Sequence, residues 1–123
     1  MEVLFKSTRE TLAKARETYG AKNQILVSIE ELCELASVCA KYPRYDTHEK
    51  AVAELRGHVL EEMGDVLNAL DHIQAIFGIS YDEAVEVAAA KGGRVARWLS
   101  KSAGMEITTE DREVGTAGVV EGV

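Results

Sequence analysis

Six acidic side chains stand in two clusters, Glu30-Glu31-Leu32-Cys33-Glu34 and Glu61-Glu62-Met63-Gly64-Asp65. Each cluster holds carboxylates three residues apart, and on an α-helix that spacing puts both on one face, a turn apart. Two such pairs on facing helices would present four carboxylates to one point, the donor set of a hard divalent cation. An all-oxygen set without Cys or His pairs favours Mg2+ or Mn2+ over zinc. A di-iron carboxylate bundle needs Glu-x-x-His on two helices. The positions three before His58 and His72 are Leu55 and Ala69, which argues against that centre.

Acidic pairs on helices are most often solvated, and periodicity is what sets these two apart. In the second helix Ile25, Ile29, Leu32, Ala36 and Cys39 form an apolar stripe with spacings of four and three. Beside it runs the row Val27, Glu31, Glu34, Val38, in which two carboxylates stand between valines. In the next long helix the main stripe is Leu55, Val59, Met63, Val66, Leu70, Ile73 and Phe77. Its neighbouring row is His58, Glu62, Asp65, Ala69, His72, Ile76. Four acids in a partly buried seam repel one another, at a cost of several kcal/mol unless they protonate or find a counter-charge. A bound cation supplies that charge; Lys or Arg from another helix is the alternative. Glu30 and Glu61 fall at more polar angles, in supporting positions.

The elements that must hold these rows read as four helices. The first spans about Val3 to Tyr19 and stops at Gly20. The second runs from about Gln24 to Tyr42, with Asn23 as N-cap and Pro43 ending it. Pro43–Asp46 reads as a connector and Thr47 as the cap of a third helix reaching Phe77, with Gly57 a point where it bends or breaks and Gly78 just past its end. Ser80 with Glu83 fits a capping box for the fourth helix, which continues to about Ser100 across the weakening pair Gly92-Gly93.

At 123 residues with 46% apolar content, one all-α domain over 1–103 is expected, followed by an acidic, glycine-rich tail over 104–123. A single proline favours helix over sheet. The net charge of −7 discourages nucleic-acid binding, since phosphate backbones require a basic stripe. No apolar run approaches the ~18 residues of a membrane span, so neither a membrane nor a signal peptide is expected, and the default compartment is the cytoplasm. Cys33 and Cys39 lie six apart in one helix, point in different directions, and are expected as buried reduced thiols. His72 is expected as a packing histidine, and Trp98 as core or interface. Helices apolar on two stripes have more surface to bury than one small monomer covers, so an oligomer is expected.

Glu30-Glu31-Leu32-Cys33-Glu34 followed by Glu62-Met63-Gly64-Asp65 and Val66-Leu67 resembles the all-α nucleoside triphosphate pyrophosphatase superfamily, the MazG-like nucleotide pyrophosphohydrolases. The likeness covers roughly Gln24 to Trp98, including the turn Gly78-Ile79-Ser80-Tyr81-Asp82-Glu83-Ala84. It implies a four- to five-helix bundle that assembles as a homodimer or homotetramer, with sites built partly at subunit contacts. The implied activity is Mg2+-dependent hydrolysis of a (deoxy)nucleoside triphosphate to the monophosphate and pyrophosphate. By position, Glu31, Glu34, Glu62 and Asp65 would be the metal ligands and catalytic acids, and Glu30 would support the site or orient water. Attack at the α-phosphorus needs neutralised phosphates and an activated water, which metal ions and a nearby carboxylate supply. Lys91 and Arg94, one turn apart on the last helix, are the candidates for the triphosphate, and Asn68 for base, sugar or a metal-bound water. Gly92-Gly93 departs from the family pattern, which has a more regular helix there, often with Asn. The alternative function is a non-catalytic helical interaction or regulatory module that keeps a vestigial metal site.

Overall fold

The computed structural model describes residues 2–103, and every regular element within them is an α-helix. They are α1 (Lys6–Tyr19), α2 (Ala21–Cys39), α3 (Tyr42–Tyr45), α4 (Glu49–Phe77) and α5 (Tyr81–Ala103). The acidic tail over 104–123 lies outside the described residues. The chain divides into two units. Glu2–Ile79 holds α1 to α4, and α5 belongs to the unit that starts at Ser80.

A single residue separates α1 from α2. Gly20 has φ 86 and ψ 155, a region open essentially to glycine alone. Its N–H donates to the Arg16 carbonyl and closes α1, while its own carbonyl accepts from Gln24 N–H and opens α2. The expected cap Asn23 is therefore inside α2, because glycine reverses the chain three residues earlier. At its other end α2 stops at Cys39 rather than Tyr42. Pro43 does not simply end that helix. It sits in the first turn of α3, where a missing N–H costs nothing, so the expected connector folds into one helical turn.

His48, with extended backbone, leads into α4. Thr47 makes no capping bond there; its hydroxyl lies 3.2 Å from His48 Nδ1. Gly57 does not break the 29-residue α4, which ends at left-handed Gly78. Both Gly78 N–H and Ile79 N–H donate to the Gln74 carbonyl, satisfying an acceptor the helix end would leave bare. Ser80 opens α5 as expected. Its N–H donates to Glu83 Oε2 at 2.7 Å, and Glu83 N–H donates back to Ser80 Oγ at 3.1 Å. That reciprocal bonding pulls the Glu83 carboxyl below its ordinary range. The helix runs unbroken through Gly92-Gly93 to Ala103, past the expected end at Ser100. Ala90, Gly93 and Ser100 are its buried positions.

The broadest contact in the Glu2–Ile79 unit joins α2 to α4. Ser28 meets Ala69, the acids of 31–34 meet those of 62–65, and Cys39 shares a groove with Val52 and Leu55. Rising numbers on one helix meet falling numbers on the other, so the pair is antiparallel. Its seam is made by Gln24, Ser28, Glu31, Leu35 and Val38 against Leu55, Val59, Glu62, Val66 and Ala69, all buried or half-buried. The inward face thus draws on both rows, with Glu31, Val38, Glu62 and Ala69 from the acidic rows and Leu55, Val59 and Val66 from the apolar stripe of α4, while Glu34 and Asp65 are exposed. Much of the richer apolar stripe faces out: Ile29 is 50% exposed, Met63 50% and Phe77 67%. Both cysteines are exposed free thiols, not buried ones: Cys33 is on the side of α2 away from the seam, and Cys39, the last residue of α2, lines an open groove beside α4. Among the described residues, no helix is long and apolar enough to cross a membrane.

Candidate metal centre

Two turns of α2 and two turns of α4 build one cluster. One carboxylate oxygen from each of Glu31, Glu34, Glu62 and Asp65 lies within 4.8 Å of all the others. Glu31 and Glu62 are half-buried in the seam, while Glu34 and Asp65 stand at its exposed edge. The three-residue spacing produces this division, placing one acid of each pair inward and the next a turn along and outward.

The inner pair is electrostatically unsatisfied. Burial, then the charges of Asp65, Glu34 and Glu62, raises Glu31 above the ordinary 4.5. Burial, then Glu34, Asp65 and Glu61, raises Glu62 in the same way. The neighbouring Glu34 carboxyl adds to the rise in both. Oε2 of Glu31 and Oε2 of Glu62 are buried and have no hydrogen-bond partner. Within the Glu2–Ile79 unit, the ion pairs of α1 go elsewhere: Lys6 to Glu10, Arg9 to Glu2, Arg16 to Asp71. Neutralisation of the cluster by a basic residue of another helix in this unit is therefore not what the structure shows.

The other expected site residues separate into three groups. Glu30 and Glu61 are exposed and outside the four-oxygen cluster, although Glu61 still adds its charge to Glu62. Asn68 is half-buried on α4, one turn beyond Asp65. Lys91 is exposed and Arg94 half-buried on α5, in the second unit.

Two neighbouring features escaped the sequence reading. At one side of the carboxylates the seam is also polar but closed. Ser28 Oγ donates to the Gln24 carbonyl at 2.7 Å and lies 3.5 Å from the Ala69 carbonyl. Arg16 Nη1 reaches Asp71 Oδ2 at 3.0 Å and His72 Nδ1 at 2.9 Å. Since a guanidinium only donates, Nδ1 accepts and the imidazole is neutral. Burial, then the Arg16 charge, lowers His72 below its ordinary 6.5, with Asp71 opposing. His72 is thus the packing histidine its position implied, but its Arg16 partner comes from 56 residues away, with no local signal.

On the opposite side of the carboxylates lies an apolar groove of about 480 Å³, lined by Cys39, Tyr42, Val52, Leu55, Arg56 and Val59. Val59 is one turn before Glu62, so the groove adjoins the cluster. Its signal in the sequence was Tyr42, read as the end of the second helix; Tyr42 instead opens α3 and lines the groove beside α4. No family model, curated protein or solved structure matches the chain.

Proposed function

We propose that this protein is a Mg2+-dependent nucleoside triphosphate pyrophosphohydrolase of the MazG-like kind. The observation that carries this reading is the convergence of four carboxylates, two of them ending in buried oxygens without partners. Such oxygens need protons or a cation, and a purely carboxylate donor set suits a hard ion such as Mg2+, or Mn2+ in its place. Glu31, Glu34, Glu62 and Asp65 would hold it. When bound, the ion supplies charge neutralisation for phosphate oxygens and a lowered pKa for a coordinated water.

The chain's own residues do the rest. The exposed carboxylates of Glu34 and Asp65 would face incoming phosphates, and a carboxylate not engaged by the ion would take a proton from the attacking water. Glu30 and Glu61, outside the cluster, keep its mouth acidic and favour arrival of a metal-loaded triphosphate over a bare one. The groove beside Val59 offers an apolar wall, with Tyr42 and Arg56 among its lining residues, to a planar base or sugar. Asn68, one turn past Asp65, is a further polar contact for substrate. Lys91 and Arg94 on α5 remain the proposed cations for the triphosphate.

A screen of nucleoside triphosphates with Mg2+ and pyrophosphate detection tests the proposal. Glu34→Ala and Asp65→Ala should each lower the rate at least a hundred-fold, about 2.7 kcal/mol or more of transition-state stabilisation, while preserving helical circular dichroism. Full activity in both variants overturns it. The second reading, a helical interaction module with a vestigial metal site, draws on the exposed apolar stripes. Calorimetric titration with Mg2+ and a non-hydrolysable nucleotide separates the two, because silence toward every nucleotide favours the module.

A further inference from the structure

Little besides one charged contact holds α1 to the rest of its unit. None of its residues is fully buried. Its half-buried face is Thr8, Arg9, Leu12, Ala15 and Arg16, with Leu12 the one large apolar side chain among them. Arg9 pairs with Glu2, in the segment before the helix. The joint to α2 is Gly20 alone, in a backbone region that belongs to glycine, and nothing lies within 4 Å of where a Cβ would sit. Neither a side chain nor packed neighbours stiffen that joint.

The contact that remains is Arg16. Its Nη1 donates to Asp71 Oδ2 at 3.0 Å and to His72 Nδ1 at 2.9 Å, so one cation meets one anion and a neutral ring. A proton on Nδ1 makes that two cations to one anion. It also turns the acceptor into a second donor facing the first. No other charge offsets the excess. Asp71 is the one charged residue of α4 between Val66 and Gly78. Lys14 and Glu17, the charges nearest Arg16 on α1, are exposed, and the inward positions that α2 brings to this end, Gln24 and Ser28, do not titrate. The two partners are not equally free to move. His72 is 5% exposed and fixed in α4, whereas Arg16 rides on a helix without a buried residue.

We propose that α1 is an acid-released arm: a proton taken up at His72 Nδ1 expels the Arg16 guanidinium, and α1 swings away from α4 about Gly20. Asp71, whose charge already favours the protonated ring, then balances the imidazolium, and the α2–α4 pair stays folded. Burial and the Arg16 charge disfavour the proton while the arm is latched, so release belongs below 6.5.

Two spin labels on the full chain in EDTA read the arm independently of metal binding and activity. In a Cys33→Ser, Cys39→Ser background, Thr11→Cys labels the exposed side of α1 and Leu67→Cys that of α4. Dipolar spectroscopy should give one narrow distance distribution at pH 7.5. At pH 5 a second, broader population should appear, its ratio to the first rising at most tenfold per unit of pH, as one proton requires. A control pair across α2 and α4, Ile29→Cys with Leu67→Cys, should not change over that range. His72→Gln keeps a side-chain acceptor for Arg16 without a titrating proton, and should hold the single narrow population at pH 5. Arg16→Ala should show the broad population already at pH 7.5, an answer that stands even if His72→Gln folds poorly. An α1–α4 distance that ignores pH overturns the proposal. So does a change that persists in His72→Gln, a change shared by the α2–α4 pair, or an arm that stays narrow in Arg16→Ala.

Discussion

The seam between α2 and α4 is polar in two places, and the two are solved in opposite ways. Around Ser28, Asp71 and His72, every resolved polar contact is met from within the chain, with Arg16 arriving from α1 as the counter-charge. Two turns along, Glu31, Glu34, Glu62 and Asp65 bring four like charges together and no cation of that unit follows. Burial is similar in kind and the helices are the same. Only the presence of a partner differs. Within the Glu2–Ile79 unit an arginine is supplied to one polar patch and none to the next. That contrast, rather than acidity, is the argument for a ligand site.

The contrast can be broken at its closed end first. Arg16→Ala leaves the largely buried Asp71 carboxylate without its cation, and should cost about 3 kcal/mol in urea unfolding. A change near zero would mean the closed patch is held by packing alone. At the open end, Mg2+ should raise the melting temperature in a concentration-dependent way, by about 2.7 kcal/mol of stability at a hundred times its dissociation constant. Glu31→Gln combined with Glu62→Gln should abolish that response and, in EDTA, should itself raise the melting temperature by relieving repulsion. If the double variant is less stable than the parent without metal, the two glutamates are structural partners rather than an empty donor set.

Acidity sharpens the same comparison, because the two patches carry opposite signs. His72 has its folded pKa lowered below 6.5, so its contribution is fully present above that value and is lost as pH falls through it. Glu31 and Glu62 have folded pKa values raised above 4.5, so the metal-free cluster is best tolerated when protonated and loses stability as pH rises from 4.5 upward. Melting curves against pH in EDTA should therefore lose their acid-side slope in His72→Gln and their rising-pH slope in the Glu31→Gln, Glu62→Gln variant. This is the smallest of the expected effects.

The four-carboxylate cluster was readable because its geometry is local. Three-residue spacing on a helix fixes which carboxylates share a face, and Glu31, Glu34, Glu62 and Asp65 needed only two helices packed together. The Ser80–Glu83 capping box was local in the same sense. Orientation was not. Periodicity finds two stripes on α2, one through Ile29 and Leu32 and one through Glu31 and Val38, but it is blind to which stripe meets another helix. The structure turns Glu31 and Glu62 inward together with Leu55, Val59 and Val66, and leaves Ile29, Met63 and Phe77 outward. Cys33 and Cys39 were expected buried for the same reason. Arg16 lay beyond reach because its partners are far away in sequence, and α3 because Pro43 serves equally as a stop and as a first-turn residue.

Ser28 and Ala69 give the pair a fulcrum. They are 1% and 2% exposed, among the smallest side chains in the seam, and they let the two backbones approach until a serine hydroxyl is within 3.5 Å of the opposite carbonyl. Glu31 lies one turn from Ser28, and Asp65 one turn from Ala69. The gap across which the two carboxylate pairs face each other is therefore gauged by two small residues that never touch it. Discrimination between a cation held at about 2.1 Å and one held at about 2.4 Å would then reside in the packing volume at this pivot, with the acids themselves unchanged.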